Sequence, residues 1–308
     1  DIAESQQCNP NRTQCPASDG PYCRQLGDGK VVPNIAPYIF GTGGCVGGSD
    51  PAWGSGYIAL MDWVHRYYNN TQLLHYHYDN AFAYMQHLQT YVNTTSTSKA
   101  TALLDLMYPG SRCGDWWGSS PTTPQGRHTS NLINGFYWLK QVEIMARAAE
   151  KLGKSSNVTF WNELIDQGRY QFNELYFNND TGYVDIECKT PADRQTTPCH
   201  EESIDGYLSV QTLQSLPIAI DIPSTSTQLR IAGSVLANDV ENGPFPGRTS
   251  TGLVGTKYVL PALVRTGRPD LAMTIATAME YPSWGRMLSP SVHPLGVYLP
   301  VFVVAMSE

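Results

Sequence analysis

The sequence predicts an all-α chain whose helices pair into antiparallel hairpins arranged as a toroid. Three observations carry this. Apolar residues recur at helical spacing through most of the chain after residue 52. The helical runs come in pairs joined by short polar or Gly-containing turns, and longer irregular loops separate the pairs. Strand-like alternation is scarce. No sharp internal repeat is present, which disfavours a solenoid of near-identical units. One domain over 1–308 is the simpler organisation, and a two-layer α-solenoid is the plainer alternative.

The elements follow in order. Residues 1–52 are rich in Gly, Pro and Cys and read as loop, with only short extended pieces in 28–44. The stretch WGSGYIALMDWVHRYYNN (53–70) reads as a helix ending at Asn69-Asn70. From 74 to 92, Leu74, Tyr78, Ala81, Met85, Leu88 and Val92 fall on one helical face. Residues 130–152 place Leu132, Phe136, Leu139, Val142, Ala146 and Ala149 on another, with Gly153 as its C-cap. A partner helix follows over 157–177. Further helices are expected near 207–221, 227–241, 254–265 and 269–280, the last two broken by Gly267-Arg268-Pro269-Asp270.

Composition narrows the function classes. Lys+Arg 20 against Asp+Glu 27 gives a net charge of −7, which argues against a nucleic-acid phosphate binder. Charged residues are only 15% and aromatics 11%, so the chain can bury a large core and its surface chemistry favours carbohydrate. The longest uncharged apolar stretch, Leu295–Met306, is too short for a bilayer span and contains Pro300. The chain opens at Asp1 without Met or a leader, so an upstream segment is expected to have been removed or left out.

A secreted, extracellular location is expected. Five Asn-X-Thr sequons occur, at Asn11, Asn69, Asn93, Asn157 and Asn179, each beside a turn signal. Of the seven cysteines, no two have C-x-x-C spacing, so disulfides in an oxidising compartment are favoured over a zinc or redox site. Cys188 and Cys199 bracket one short loop and form the favoured local bridge. The odd count leaves one thiol free or paired outside the chain.

Three Gly-flanked tryptophan loops stand out: DPAWGSG (50–56), CGDWWGSSPTTP (113–124) and YPSWGRM (281–287). Indole faces stack on sugar rings, and a neighbouring carboxylate accepts hydroxyl hydrogen bonds. The plainer reading has these tryptophans plugging the ends of a helical barrel. His75, His77, Asp79 and His87 share one predicted helix, but no third convergent ligand accompanies the His75/Asp79 pair, so no metal is expected. Glu201, Glu202 and Asp205 read as a solvated acidic loop. Asp239 and Glu241 lie at a helix end where negative charge is unfavourable, so a local partner is expected.

The blocks at 28–44, 50–88, 114–117 and 251–288 together resemble the catalytic barrel of the α-L-rhamnosidases of glycoside hydrolase family 78. The order and spacing match over roughly residues 1–288, and the most specific blocks are Thr251-Gly-X-X-Gly-Thr-X-Tyr258 and Tyr281-Pro-Ser-Trp-Gly285. The resemblance implies a six-hairpin (α/α)6 barrel that is incomplete in this chain. It also implies hydrolysis of terminal rhamnose with inversion, using two carboxyl groups roughly 6.5–9.5 Å apart.

On matching positions, the resemblance implies that Asp115 contacts sugar hydroxyls and that Trp53, Trp116, Trp117, Tyr281 and Trp284 surround the sugar. It assigns neither catalytic carboxylate. Asp1–Gln6 resembles the helix that follows the family's general-acid segment. The tail over 289–308 diverges where the family's general base would lie, and Ser55 stands where the family has Asp. The expected ligand is therefore a rhamnose-containing oligosaccharide, polysaccharide or glycoside, with no cofactor; further segments of the parent or self-assembly are the other expected partners. A non-catalytic glycan-binding or structural glycoprotein that keeps the barrel is the alternative.

Overall fold

The computed structural model describes residues 51–90, 115, 131–184 and 209–288. Nine α-helices, a 3-10 turn and one two-stranded ribbon are found among them. The helices and strands are α1 (Gly56–Tyr68), α2 (Gln72–Thr90), α3 (Asn131–Lys151), α4 (Ser155–Tyr176), β1 (Phe177–Asn178), β2 (Gly182–Tyr183), α5 (Val210–Ala219), α6 (Ser226–Asn242), α7 (Thr256–Arg265), α8 (Pro269–Thr277) and α9 (Trp284–Leu288). The described residues are mostly helical, as the periodicity predicts, and the two strands pair antiparallel with Phe177 opposite Tyr183. It divides into two compact units, Asp1–Cys113 with Asn134–Gln171, and Gly114–Ile133 with Phe172–Glu308.

Hairpin turns carry their own signals. At the end of α3, Gly153 takes φ 66°, Lys154 N donates to Ala149 O at 2.9 Å and Gly153 N to Glu150 O at 3.1 Å. This is a Schellman cap, and glycine adopts its left-handed conformation without a Cβ penalty. Gly267 closes α7 the same way, with Arg268 N on Leu263 O at 2.8 Å and Gly267 N on Val264 O at 3.1 Å. Asn69, also left-handed, ends α1 where the sequence predicts. A reciprocal capping box between Thr225 and Gln228 starts α6.

In the first unit the predicted α2 face is the buried one: Leu74, Tyr78, Ala81, Met85 and Leu88 are all at or below 1% exposure. Helix α3 differs from its simple amphipathic expectation. Besides the predicted face, Trp138, Met145 and Ala148 on its other sides are also buried, so α3 runs through the core rather than along its edge. Helix α4 packs on it, with Gly168 against the Leu139 and Trp138 side chains. Across the same core, Trp161 Nε1 donates to the Tyr78 hydroxyl at 2.9 Å, and Asn157 Nδ2 donates to it at 3.1 Å.

The second unit packs α5 against α6 and α7, and α7 against α8. Helix α5 is buried on nearly every side, including Gln211, Thr212, Gln214 and Ser215. Such polar groups need partners, and Gln214 finds one in the ribbon. Its amide accepts from Tyr183 N at 2.9 Å and donates to Tyr183 O at 2.7 Å, standing in for a third strand. Among the described residues, no helix is long and apolar enough to cross a membrane.

Candidate functional site

The second unit gathers its polar machinery around one carboxylate. Asp115 is 2% exposed. Its Oδ2 accepts from the Thr212 hydroxyl and from Gly252 N at 2.8 Å. Its Oδ1 accepts from Val254 N at 2.8 Å and Gly255 N at 3.1 Å. A carboxylate offers about four acceptor positions, and all four are taken by the chain itself. Burial pushes the Asp115 pKa up, and these four donors oppose that push.

The resemblance implied that Asp115 contacts sugar hydroxyls. In the structure its acceptor positions are taken by the chain's own donors, and through them Asp115 organises the loop before α7. The close approach also explains a glycine. A Cβ on Gly255 would collide with the Thr212 side chain, so only glycine lets this loop sit on α5.

Hydroxyls extend the arrangement along the loop. Thr249 Oγ1 and Thr251 Oγ1 are 2.8 Å apart, and Thr251 Oγ1 and Thr256 Oγ1 are 3.0 Å apart. The Ser209 hydroxyl caps α5 by accepting from Thr212 N at 3.2 Å and lies 3.0 Å from Ser250 Oγ. Gln211 then ties the loop further, accepting from Ser250 N and donating to Arg248 O, both at 3.0 Å.

From Arg248 the chain of contacts reaches a predicted aromatic. Arg248 Nη1 donates to Tyr281 O at 2.6 Å and lies 3.6 Å from Glu280, while its guanidinium sits 5.9 Å from the Phe245 ring centre. Tyr281 is 55% exposed and meets Phe245 edge-on, with ring centres 6.4 Å apart. Trp284 begins α9 and is half-buried. Ser283, at 1% exposure, caps that short helix by accepting from Arg286 N at 3.0 Å. Thr212, Gln211, Phe245 and Arg248 were missed by the sequence reading. Thr212 and Gln211 look like ordinary helix residues there, and only the packing of α5 gives them a role.

Trp53 lies in the first unit, half-buried in a 3-10 turn over Trp53–Ser55. Ser55 spends its hydroxyl on Ala52 O at 2.6 Å. Trp116, Trp117, Cys188, Cys199, Asn11, Asn93, Glu201, Glu202 and Asp205 lie outside the described residues. Of the other sequons, Asn69 and Asn179 are exposed at turns, whereas Asn157 is half-buried in the first turn of α4 with its amide on Tyr78. His77 packs against Tyr57, with Nδ1 3.2 Å from the Tyr57 hydroxyl, and burial lowers the His77 pKa. Asp79 pairs with Lys154 at 3.2 Å. Among the described residues, no group of three His, Cys, Asp or Glu is placed to hold a metal ion.

Of the two acidic residues at the end of α6, Glu241 has the expected partner, Arg268 at 2.7 Å. Asp239 is 8% exposed and is hydrogen-bonded by the Gln211 side chain, while its Oδ2 has no hydrogen-bond partner. Burial raises its pKa above the ordinary 3.8, opposed by Gln211. A raised folded-state pKa means the folded chain holds the proton more tightly than the unfolded one. Asp239 therefore stabilises the fold at acid pH, and that contribution is lost as pH rises through its folded pKa. Asp239→Asn should gain stability relative to the parent as pH rises from about 4, by on the order of 1 kcal/mol at neutrality. Urea unfolding of both proteins across that range checks this, and a difference that does not change with pH would refute it.

Comparison with known proteins places this geometry. A family model described as the bacterial α-L-rhamnosidase six-hairpin glycosidase domain matches residues 18–291. An α-L-rhamnosidase of Streptomyces avermitilis is 24% identical over 261 residues, covering 85% of this chain and 21% of its own length. Among solved structures, the α-L-rhamnosidase from Dictyoglumus thermophilum aligns with TM-score 0.61 at 23% identity, over 78% of this chain and 23% of that one. The S. avermitilis enzyme in complex with L-rhamnose aligns with TM-score 0.58 at 21% identity, over 83% and 20%. The native enzyme from Aspergillus terreus aligns with TM-score 0.62 at 16% identity, over 87% and 27%. The chain thus spans about a fifth to a quarter of the length of these relatives and shares their fold.

Proposed function

The chain belongs to the bacterial α-L-rhamnosidase six-hairpin glycosidase family, and on that premise we propose that its parent protein hydrolyses terminal α-L-rhamnose from glycans or glycosides, with inversion. The observation that carries this reading is the family match over 18–291. The Asp115-centred loop supports it, because a fixed Thr251–Tyr258 segment beside the exposed Tyr281 suits a rigid sugar platform.

Inversion requires an acid to protonate the leaving oxygen and a base to activate water on the opposite face. The matching positions of this sequence supply neither, and Asp115 is fully engaged in holding the loop. Each positioned acid or base contributes on the order of 10²–10⁴-fold. The 308-residue chain alone is therefore expected to bind rhamnose-bearing glycans weakly and to leave an aryl α-L-rhamnoside essentially intact. A longer parent chain carrying both groups should release β-configured rhamnose, read by proton NMR of the first-formed sugar. Robust turnover by this chain alone would overturn the placement of the acid and base outside it. Binding without turnover by the longer chain would favour a non-catalytic glycan binder.

The same reading includes secretion, with a Cys188–Cys199 bridge and glycans on at least two sequons. The exposed turn positions of Asn69 and Asn179 make them the first candidates. Enzymatic deglycosylation of the natural protein should reduce its mass, and an unchanged mass together with free Cys188 and Cys199 thiols would refute secretion.

A further inference from the structure

In the first unit, an open cleft of about 440 Å³ is lined by Asp62, His65, Arg66, Leu74, Arg147, Ala148 and Lys151. It lies at the C-terminal ends of α1 and α3, whereas Trp53 precedes the N-terminus of α1. A helix of 13 residues is about 20 Å long, so the cleft is remote from the Trp53 turn.

Its charge is unusual for a chain of net charge −7. Arg66, Arg147 and Lys151 face one carboxylate, Asp62, which is the only acidic residue among the described lining. Arg147 Nη2 donates to Asp62 Oδ2 at 3.0 Å, and Arg66 Nη1 lies 3.6 Å from the same oxygen. Asp62 is 6% exposed, so it forms a fixed floor that holds Arg147 in place. Of the five N–H groups on each guanidinium, Arg147 spends one on Asp62 and Arg66 makes no hydrogen bond within the described residues. Lys151 has no carboxylate partner among them. His65 Nδ1, also in the lining, is buried without a partner.

Helix ends favour cations, which accounts for Arg66 and Lys151 singly. It does not account for a concave site with surplus positive charge, an arginine fixed by a buried carboxylate and an unmet buried nitrogen. We propose that this cleft binds an oxyanion, the carboxylate or sulfate group of an acidic glycan or a free inorganic ion. Paired guanidinium forks match the two oxygens of such a group, and Lys151 adds a point charge.

The test titrates the 308-residue chain with sodium sulfate, with trigalacturonate and with a neutral maltotriose, at constant ionic strength, by calorimetry. Sulfate or trigalacturonate should bind with Kd on the order of 1 mM or tighter, and maltotriose should not. Tighter binding of trigalacturonate than of sulfate identifies an acidic glycan as the source; equal or weaker binding identifies the free ion. Arg66→Gln/Lys151→Gln changes only exposed side chains, so it should fold normally and weaken binding about five-fold or more. Absence of anion binding, or binding unmoved by Arg66→Gln/Lys151→Gln, would overturn the proposal. Because the readout is anion binding and not rhamnoside cleavage, failure here leaves the rhamnosidase reading intact.

Discussion

Replacing Asp115 with alanine should destabilise the second unit by about 4 kcal/mol and release the loop ahead of α7. The substitution strands three buried backbone N–H groups, those of Gly252, Val254 and Gly255, and the Thr212 hydroxyl. A buried donor left without an acceptor costs about 1–3 kcal/mol, and hydrogen bonds to a charged acceptor are the stronger kind. The sum is reduced because the loop can relax and admit water.

Asp115→Asn tests the same idea more finely. Its remaining oxygen can serve Val254 and Gly255, but its NH₂ would face Gly252 N–H, donor against donor, at a cost of about 2 kcal/mol. Urea unfolding gives the energies, and hydrogen exchange at the amides of residues 252, 254 and 255 gives the location. If those amides stay protected in Asp115→Ala and the loss is under about 1 kcal/mol, the carboxylate is not what holds the loop.

The second large effect is expected in the first unit, at Trp161. The indole is 0% exposed, lies edge-on to Phe82 and Phe160 at 5.1 and 4.8 Å, and donates to the Tyr78 hydroxyl. Trp161→Ala should cost about 4 kcal/mol through lost contacts and the cavity left behind. Trp161→Phe keeps most of the packing and should cost about 1–2 kcal/mol, because it loses only the N–H bond and part of the ring. Tyr78→Phe should cost a similar amount, since it strands the Trp161 N–H and deprives Asn157 of its acceptor. The double variant Trp161→Phe/Tyr78→Phe should cost less than the two singles together, because no donor from Trp161 then remains unmatched. Strict additivity in denaturant titrations would mean the hydrogen bond carries no energy of its own.

Several features were legible in the residues. The period of Leu74, Tyr78, Ala81, Met85 and Leu88 identified the buried face of α2, because apolar spacing reports which side of a helix meets the core. Gly153 announced its cap because only a residue without Cβ takes that conformation freely. The Thr251–Tyr258 and Tyr281–Gly285 blocks carry the family resemblance in the residues themselves.

Other features depended on tertiary structure for an equally physical reason. The spacing of α3 implied one buried face, yet neighbours cover its other sides as well, and no local pattern records how many neighbours a helix will have. Arg66 and Asp62 are visible as an i, i+4 pair, but the cation that makes their cleft electropositive, Arg147, comes from 85 residues away. Asp115 is the sharpest case. Its partners stand 97 to 140 residues further along the chain, and three of the four are backbone amides, which every non-proline residue carries. The sequence alone determined that a carboxylate sits beside tryptophans in a loop. Folding decided that its oxygens turn inward to hold another loop, because three backbone N–H groups and a hydroxyl reach them first.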